Sequence, residues 1–423
     1  MTKVVVLGGG FGGLNAAKIL GRSKLDVWVI DKTNHHLFQP LLYQVASASL
    51  SPADIAIPIR EILSPYENTT VLMGEIAAID KSAKTVLLKN GDQIGYEYLI
   101  VGLGARHSYF GHDAWEQYAP GLKTLTDALK VRERILMSFE IAERCDSISE
   151  AKKYLNFVII GGGPTGVEMA GAIAEIAYET MLKNFRRIDT TKTKIYLVEG
   201  SSHILPVYPE KLTAKAQKYL EQYGVHVITG KRVVNVTSEG VDVEGTFIPS
   251  KNMLWAAGNQ ASPVLKSLDT PLDRQGRVLV EADLSVPNHP EIFVIGDAAC
   301  AMDENGKPLP ALAPVAVQQG RYVAQVLRKR LAKKDRPPFR YFDKGTMATV
   351  GRTKAIGMFG HVEFSGFIAW LAWCFVHILY LIGFRNRLIV LTQWLISYFT
   401  PQRGARLINR SLDEELAKHS SNH

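Results

Sequence analysis

Val4-Val5-Val6-Leu7-Gly8-Gly9-Gly10-Phe11-Gly12-Gly13 opens the chain, and Phe157-Val158-Ile159-Ile160-Gly161-Gly162-Gly163-Pro164-Thr165-Gly166 repeats its pattern 153 residues later. Each is an apolar, β-branched run of the kind that a parallel strand covered on both faces requires, followed at once by G-x-G-x-x-G and a helix-like stretch. The glycines permit the tight turn, let a pyrophosphate approach the backbone and let helix lie close on strand. The helix N-terminus then offers free N–H groups to the phosphates. One such motif is weak evidence; two in this context predict two dinucleotides on one polypeptide. Two redox dinucleotides brought together can pass electrons between them.

The 423 residues leave room for two or three domains, each with its own core. A hydrophobic content of 47% and 35 glycines fit a globular α/β protein with many tight turns. The net charge of +8 is concentrated late: residues 328–410 carry 15 Lys/Arg against three acids, Asp335, Asp343 and Glu363. Such a segment suits nucleic acid or anionic lipid, and the apolar sequence embedded in it favours lipid. Nucleic acid is the poorer match because the basic residues bracket apolar helices instead of forming a polar stripe. Cys145, Cys300 and Cys374 lie far apart with no C-x-x-C or metal-ligand spacing. They predict reduced, buried thiols, no catalytic disulfide and no metal centre. No signal or transit peptide is expected ahead of the first strand.

Along the first half, the strand at 27–30 ends in Asp31, 18 residues beyond Gly13, close to the spacing of a carboxylate that binds ribose hydroxyls. Strands are expected at 71–73, 85–88 and 98–101, and a helix over 126–144. After the second fingerprint a helix is expected over 165–183. A basic insertion at 184–193 delays the strand at 195–198, which ends in Glu199, 33 residues past Gly166. A carboxylate there accepts ribose hydroxyls and repels a 2′-phosphate; with no arginine at 200–202, NADH is predicted over NADPH. A plain surface acid at a strand end is the alternative reading of Glu199. A late strand at 292–295 runs into Gly296-Asp297, residues 309–320 begin a helix reaching about Arg330, and 329–338 reads as a charged connector.

Residues 366–384 form a 19-residue run without formal charge, His being counted neutral, long and apolar enough to permit a transmembrane helix. Within it Trp370, Trp373, His377 and Tyr380 recur at spacings of 3, 4 and 3, one helical face of the kind an interfacial helix presents. Arg385 and Arg387 follow, then an apolar stretch at 388–399, then Arg403, Arg406 and Arg410, all suited to anionic headgroups. Positive charge on both sides gives a single span no direction. A helical hairpin in one leaflet is therefore expected rather than a span. His377 reads as a packed or interfacial histidine rather than a metal ligand.

Taken in order, several segments resemble the type II NADH:quinone oxidoreductases, single-subunit NADH dehydrogenases that pump no protons. They are Asn34-His35-His36-Leu37-Phe38-Gln39-Pro40-Leu41-Leu42-Tyr43-Gln44-Val45-Ala46, Val101-Gly102-Leu103-Gly104-Ala105, Pro164-Thr165-Gly166-Val167-Glu168, Trp255-Ala256-Ala257-Gly258, Ile295-Gly296-Asp297 and the amphipathic tail. The resemblance implies an α/β fold of two Rossmann-type dinucleotide-binding domains plus a C-terminal amphipathic helical membrane-anchoring region. The FAD domain spans 1–120 and is completed by 290–345, the NADH domain spans 121–289, and the anchor spans 346–423. It implies one FAD held by Gly8, Gly10, Phe11, Gly12, Gly13, Asp31, Lys32, Gly104, Ala105, Gly296, Asp297 and Ala316. NADH is implied at Gly161, Gly163, Pro164, Thr165, Gly166, Glu199, Ala257 and Gly258.

The implied catalytic residues are Glu168, at the nicotinamide–flavin junction, and Gln318, on the quinone side; capping its own helix is the alternative for Glu168. A membrane quinone is the implied acceptor, an anionic bilayer on the cytoplasmic face of the inner membrane the implied surface, and a homodimer the implied assembly. No EF-hand loop interrupts the chain, so calcium control is not expected. Where the family often shows A-Q-x-A-x-Q, this chain reads Ala313-Pro314-Val315-Ala316-Val317-Gln318. The proline removes an amide from quinone contact but suits a first helical turn, whose dipole would still favour negative charge on a flavin. Two other readings stand beside this one. A sulfide:quinone oxidoreductase needs suitably placed cysteines, and the second fingerprint with Glu199 speaks against it. An NADH-sensing flavoprotein with incidental turnover is the other.

Overall fold

Val4, Val5, Val6 and Leu7 are completely buried, because a strand without polar side chains reaches its stable state only when both faces are covered. In the computed structural model, which describes residues 1–400 and 403–408, they form the strand Lys3–Leu7 inside a six-stranded sheet. The order across that sheet is Ser285–Val286, His289–Val294, Tyr98–Val101, Lys3–Leu7, Asp26–Asp31 and Thr69–Met73. Only the short Ser285–Val286 edge runs antiparallel; the others pair in parallel, with Leu7 opposite both Ile30 and Val101. The helix Phe11–Leu20 follows the first turn and lies against the helix Ala313–Arg328. Their approach is so close that a Cβ on Gly320 would stand 2.1 Å from the Gly12 carbonyl oxygen.

This first packing unit comprises Met1–Leu37, Ala56–Arg106 and Asn259–Lys344. Leu265, Leu268, Val278 and Val286 share one buried cluster with Val5, Leu7, Leu99 and Val101. Residues 259–289, expected by sequence in the NADH domain, therefore pack with the first fingerprint, and the division falls after Gly258 rather than at 289. Hydrophobic residues go where the core is, and this segment has no polar signal to mark the change.

The second unit comprises Phe38–Ile55, His107–Gly258 and the described residues from Gly345 onward. Its parallel sheet runs Val225–Thr229, Lys194–Glu199, Asn156–Ile160, Asn252–Trp255. The helix Leu125–Arg144 begins with a capping box in which Thr124 and Asp127 satisfy each other's backbone N–H groups. After the second fingerprint the α-helix is Pro164–Glu175 and continues as one π turn, Ile176–Thr180, so it ends earlier than the expected 183. The expected C-terminal region packs within the second unit: it comprises the antiparallel strands Thr346–Thr349, Ala355–Phe359 and Val362–Gly366 and the helices after them.

The 19-residue apolar run is not one helix. It gives Phe367–Tyr380, then breaks at buried Leu381 and at Gly383 (φ +85°), and a second helix, Phe384–Phe399, begins. Arg387 donates to the carbonyls of Leu381 (2.6 Å) and Leu379 (3.0 Å), which closes the end of the first helix. No helix among the described residues is long and apolar enough to cross a membrane.

Of the expected Trp370/Trp373/His377/Tyr380 stripe, Tyr380 is exposed, Trp370 and His377 are half-buried, and Trp373 turns inward. Trp373 is only 2% exposed and contacts the rings of His377, Trp394 and Tyr43. The outward stripe is instead Ile368, Leu371, Phe375 and Leu379, with Phe375 69% exposed. The second helix adds Phe384, Leu388, Leu391, Leu395 and Phe399, with Phe384 82% exposed. The Trp394 indole N–H finds Gln44 and His377 Nδ1 pairs with the Trp373 carbonyl inside the unit, while purely apolar side chains make the outward stripes.

At Gly166 a Cβ would sit 1.9 Å from the Gly161 carbonyl oxygen. Gly166→Ala is therefore expected to destabilise the second unit by about 1–3 kcal/mol, as overpacking does. A thermal melt followed by circular dichroism checks this; an unchanged midpoint would show that the turn yields freely.

Candidate functional site

The two fingerprints build the same turn. Gly8 and Gly161 adopt positive φ (+96° and +111°) and lie against a neighbouring loop. A Cβ there would be 2.3 Å from the Gly102 oxygen in one case and 2.7 Å from the Ala256 carbonyl carbon in the other. Gly13 and Gly166 each let the helix approach the first glycine's carbonyl. The middle glycines, Gly10 and Gly163, have nothing within 4 Å of a would-be Cβ. Each is the N-cap of its helix, with no side chain capping it. An open cradle beside uncapped N–H groups is the donor set a pyrophosphate needs, so both turns fit a dinucleotide.

The strand-end acids are built alike too. Asp31 accepts the Gly9 N–H at 2.6 Å on one oxygen and the Thr33 N–H at 2.7 Å on the other. Glu199 accepts the Gly162 N–H at 2.6 Å and the Ser201 N–H at 2.7 Å. Each carboxylate thus fixes its glycine turn while standing at the mouth of it. His36, which carried no assignment in the sequence reading, is buried with Nδ1 2.9 Å from the Gly9 carbonyl oxygen and its ring edge-on to Phe11. Burial lowers its pKa, so it stays neutral. Lys32 is exposed beside Asp31, and Gly104 (φ +66°) and Ala105 follow the strand Tyr98–Val101.

Gly296, Asp297 and Ala298 form a single 3-10 turn after the late strand. The Gly296 N–H donates at 2.6 Å to Gln319, which is almost completely buried. Gln319 therefore holds the turn that presents Asp297, with Ala316 packed against Gly296. Gln318, the residue implied by resemblance, donates to and accepts from the backbone of Phe342 (2.9 and 3.0 Å). Pro314 lies in the first turn of its helix, as expected. In the second unit Ala257 and Gly258 follow Trp255, whose indole donates to the Ser108 carbonyl at 2.9 Å, and the Phe110 ring lies over Gly258.

Glu168 lines a cavity in the second unit, enclosing about 730 Å³ counted out to its open mouth. Tyr43 and Gln44 form part of the wall, with Glu175 and Glu179 from the same helical run, and the tail contributes Trp370, Trp373, Trp394 and Arg403. Glu168 stands in the second turn of the helix Pro164–Glu175. Burial pushes its pKa up to about 8, opposed only by a hydrogen bond from the Thr349 backbone. A relay of hydrogen bonds reaches the neighbourhood of Glu168 from the tail: Trp394 Nε1 to Gln44 (2.8 Å), Gln44 to the Tyr43 hydroxyl (3.0 Å), and Tyr43 to the Thr349 hydroxyl (3.2 Å). Asn386 docks the last helix by donating to Ala53 and Asp54 carbonyls (2.8 and 2.9 Å).

Arg403 is not a headgroup-facing cation. It is buried, donating to the Ser47 carbonyl and to Glu175 Oε2, both at 2.6 Å. Arg387 is likewise consumed by helix capping, and Arg406 donates to the Arg403 carbonyl. Arg385 remains exposed, while Arg410 lies outside the described residues.

The pyridine nucleotide-disulphide oxidoreductase family matches residues 2–320, and the NDH2 C-terminal domain matches residues 344–402. Over 417 residues the chain is 44% identical to the type II NADH:quinone oxidoreductase Ndh of Mycobacterium tuberculosis, an alignment covering 95% of this chain and 89% of that protein. The identity to NdhA of the same organism is 42% over 427 residues, covering 97% and 90%. This chain belongs to the type II NADH:quinone oxidoreductases. Its fold is also that of the NDH2 from Plasmodium falciparum solved in complex with NADH, with a TM-score of 0.88 at 20% identity over 97% of this chain and 100% of that one.

In this type II oxidoreductase the strand end beside the second fingerprint holds one residue that spacing along the sequence does not reveal. Glu199 pairs in register with Thr229 on the next strand. That pairing brings Arg232 beside Gly200, its Cγ 3.4 Å from a would-be Cβ there. A guanidinium so placed would meet a 2′-phosphate if a nucleotide ribose were bound at Glu199, as the sequence predicts. NADH is still expected to be preferred. Arg232→Ala should lower kcat/KM for NADPH about fivefold, the worth of an exposed charge pair, and leave NADH within twofold of wild type by the same measure. Equal losses with both nucleotides would remove Arg232 from this role.

Proposed function

We propose that the cavity beside Glu168 is where the quinone ring is reduced, and that Glu168 supplies a proton there. The reading serves the family's reaction, in which two electrons pass from NADH through FAD to a quinone without proton pumping. FAD, when bound, supplies the redox chemistry by taking a hydride and releasing electrons to the acceptor. The Gly8, Gly10 and Gly13 turn with Asp31 and Asp297 would hold it. The Gly161, Gly163 and Gly166 turn with Glu199 and Gly258 would hold NADH. Gln318 acts on this reading as a positioning residue, through its pair with Phe342, and Gln319 fixes the Asp297 turn.

The observation that carries the proposal is the hydrogen-bond relay from Trp394 through Gln44 and Tyr43 to Thr349, in a cavity that also holds an acid protonated at neutral pH. Three indole rings supply an apolar wall for a flat, uncharged ring. Tyr43, whose hydroxyl burial keeps protonated, is a donor for a carbonyl oxygen. The outward apolar stripes of the two tail helices would lie in one leaflet on the cytoplasmic face, bringing the cavity's tail wall to the lipid that carries the quinone. A homodimer on an anionic membrane completes this picture.

Glu168 holds its proton below about pH 8 and loses it above. The proton donor is therefore present at pH 7, and quinone reduction should fall as pH rises through about 8. Glu168→Gln should slow quinone reduction by about a hundredfold, as loss of a general acid does, and abolish that alkaline limb. Ferricyanide, which takes electrons without protons, should be reduced at the wild-type rate. Wild-type quinone turnover in a folded, FAD-loaded variant would refute the assignment.

Removing the whole tail is a poor test of membrane binding, because Trp373, Trp394 and Arg403 are built into the second unit. Phe375→Asp combined with Leu391→Asp alters only the outward stripe. Binding to anionic vesicles in a flotation assay should weaken at least about a hundredfold, given the burial worth of two large apolar side chains, with ferricyanide reduction retained. Unchanged flotation would place the membrane contact elsewhere.

A further inference from the structure

Reducing a quinone to a quinol takes two electrons and two protons. NADH brings two electrons and one hydrogen, so the balance NADH + H⁺ + quinone → NAD⁺ + quinol draws one proton per turnover from water. We infer that Glu175 and Glu179 conduct that proton from solvent to Glu168 along the cavity face of one helical run. The inference rests on the cavity reading above and adds the route by which its acid is recharged.

Glu168, Ala172, Glu175 and Glu179 all line the same cavity. Seven residues of helix separate the first two acids, about 10 Å along the axis. Between them stands Ala172, which presents only a methyl to the cavity. Glu175 belongs to the last residue of the α-helix and Glu179 to the π turn after it, an irregularity frequent at functional sites. Glu179 is at the outer end: its side chain is 42% exposed and 3.5 Å from Arg352. From the facing segment the hydroxyls of Ser47 and Ser49, 3.4 Å apart, border the same space.

The bland reading of Glu175 is a structural ion pair. Arg403 binds its Oε2 at 2.6 Å, but Oε1 is buried and accepts no hydrogen bond from the described residues. A purely structural buried pair is stable when both carboxylate oxygens are engaged; here one acceptor is left without a partner among the described residues. Burial raises the Glu175 pKa, and the Arg403 guanidinium opposes that rise. Arg403 is a positioning residue on this account. The groups facing the path are Tyr43, Cys374, Arg352 and Arg403. The first two keep their protons, Cys374 with a pKa pushed up to about 12 by burial.

The test uses full-length, FAD-loaded enzyme with Glu175→Gln and, because the buried pair matters for folding, Glu179→Gln at the exposed end. In stopped flow, flavin reduction by NADH and reoxidation by ferricyanide should be unchanged in both. Reoxidation by a short-chain ubiquinone analogue should slow about tenfold at pH 8, less at pH 6, and recover in part with added formate, a small proton carrier. Independently of turnover, hydrogen–deuterium exchange of the Glu168 carboxyl, read from its infrared C=O band and assigned by its loss in Glu168→Gln, should slow in both variants. Equal losses with quinone and ferricyanide would make Glu175 structural and overturn the route. So would wild-type quinone kinetics and exchange in both variants while Glu168→Gln is slow. If Glu168→Gln is also without effect, the cavity reading itself falls.

Discussion

The close approach of a helix to the turn that precedes it is the constraint on which both nucleotide sites depend. At Gly13 and at Gly166 a single added carbon would stand 1.9 Å from a backbone carbonyl. Keeping that carbon out lets each helix start immediately beside its strand end, with its first N–H groups uncapped and facing open space. The acids at the ends of the second strands complete the device by holding the middle of each glycine turn through one N–H. A carboxylate in that place rigidifies the loop and, on the proposed reading, would accept ribose hydroxyls.

A second dependence runs through the C-terminal helices. Their inward side chains do not merely cover a core. Trp394 and Asn386 hydrogen-bond to the segment 38–55, and Arg403 ties the chain beyond the helices to Glu175. Breaking a buried pair by removing one partner leaves an uncompensated charge and is strongly destabilising, of the order of 3–5 kcal/mol. The tail therefore serves two purposes on opposite faces. One face builds the cavity around an acid whose proton is retained near neutral pH, and the other leaves large apolar side chains exposed.

Much of this was legible beforehand, and the reasons differ by residue. The strands at Lys3–Leu7 and Asn156–Ile160, and the carboxylates Asp31 and Glu199, follow from composition and short spacings. The acids reach back 22 and 37 residues to Gly9 and Gly162, and the second turn repeats the first. Gln319 was hidden next to Gln318, because helix phase alone decides which of two adjacent amides is buried. The segment 259–289 carried no punctuation that would assign its leucines and valines to one core rather than another.

By itself the sequence determined two dinucleotide turns of like construction, the acids that close them and a family membership, since each of these is written in residue types that recur in a fixed order along the chain. Tertiary structure alone decided which way the tail's indoles face, that Arg403 is buried against Glu175 rather than displayed, and that Arg232 stands beside Gly200. Those outcomes are set by register between strands and by which N–H groups can find acceptors across the unit. Charge and hydropathy read along the chain carry neither. The apolar stripe was visible in the sequence as a quantity of hydrophobic surface; its direction was a competition between side chains with hydrogen-bonding handles and side chains without, and only packing resolves it.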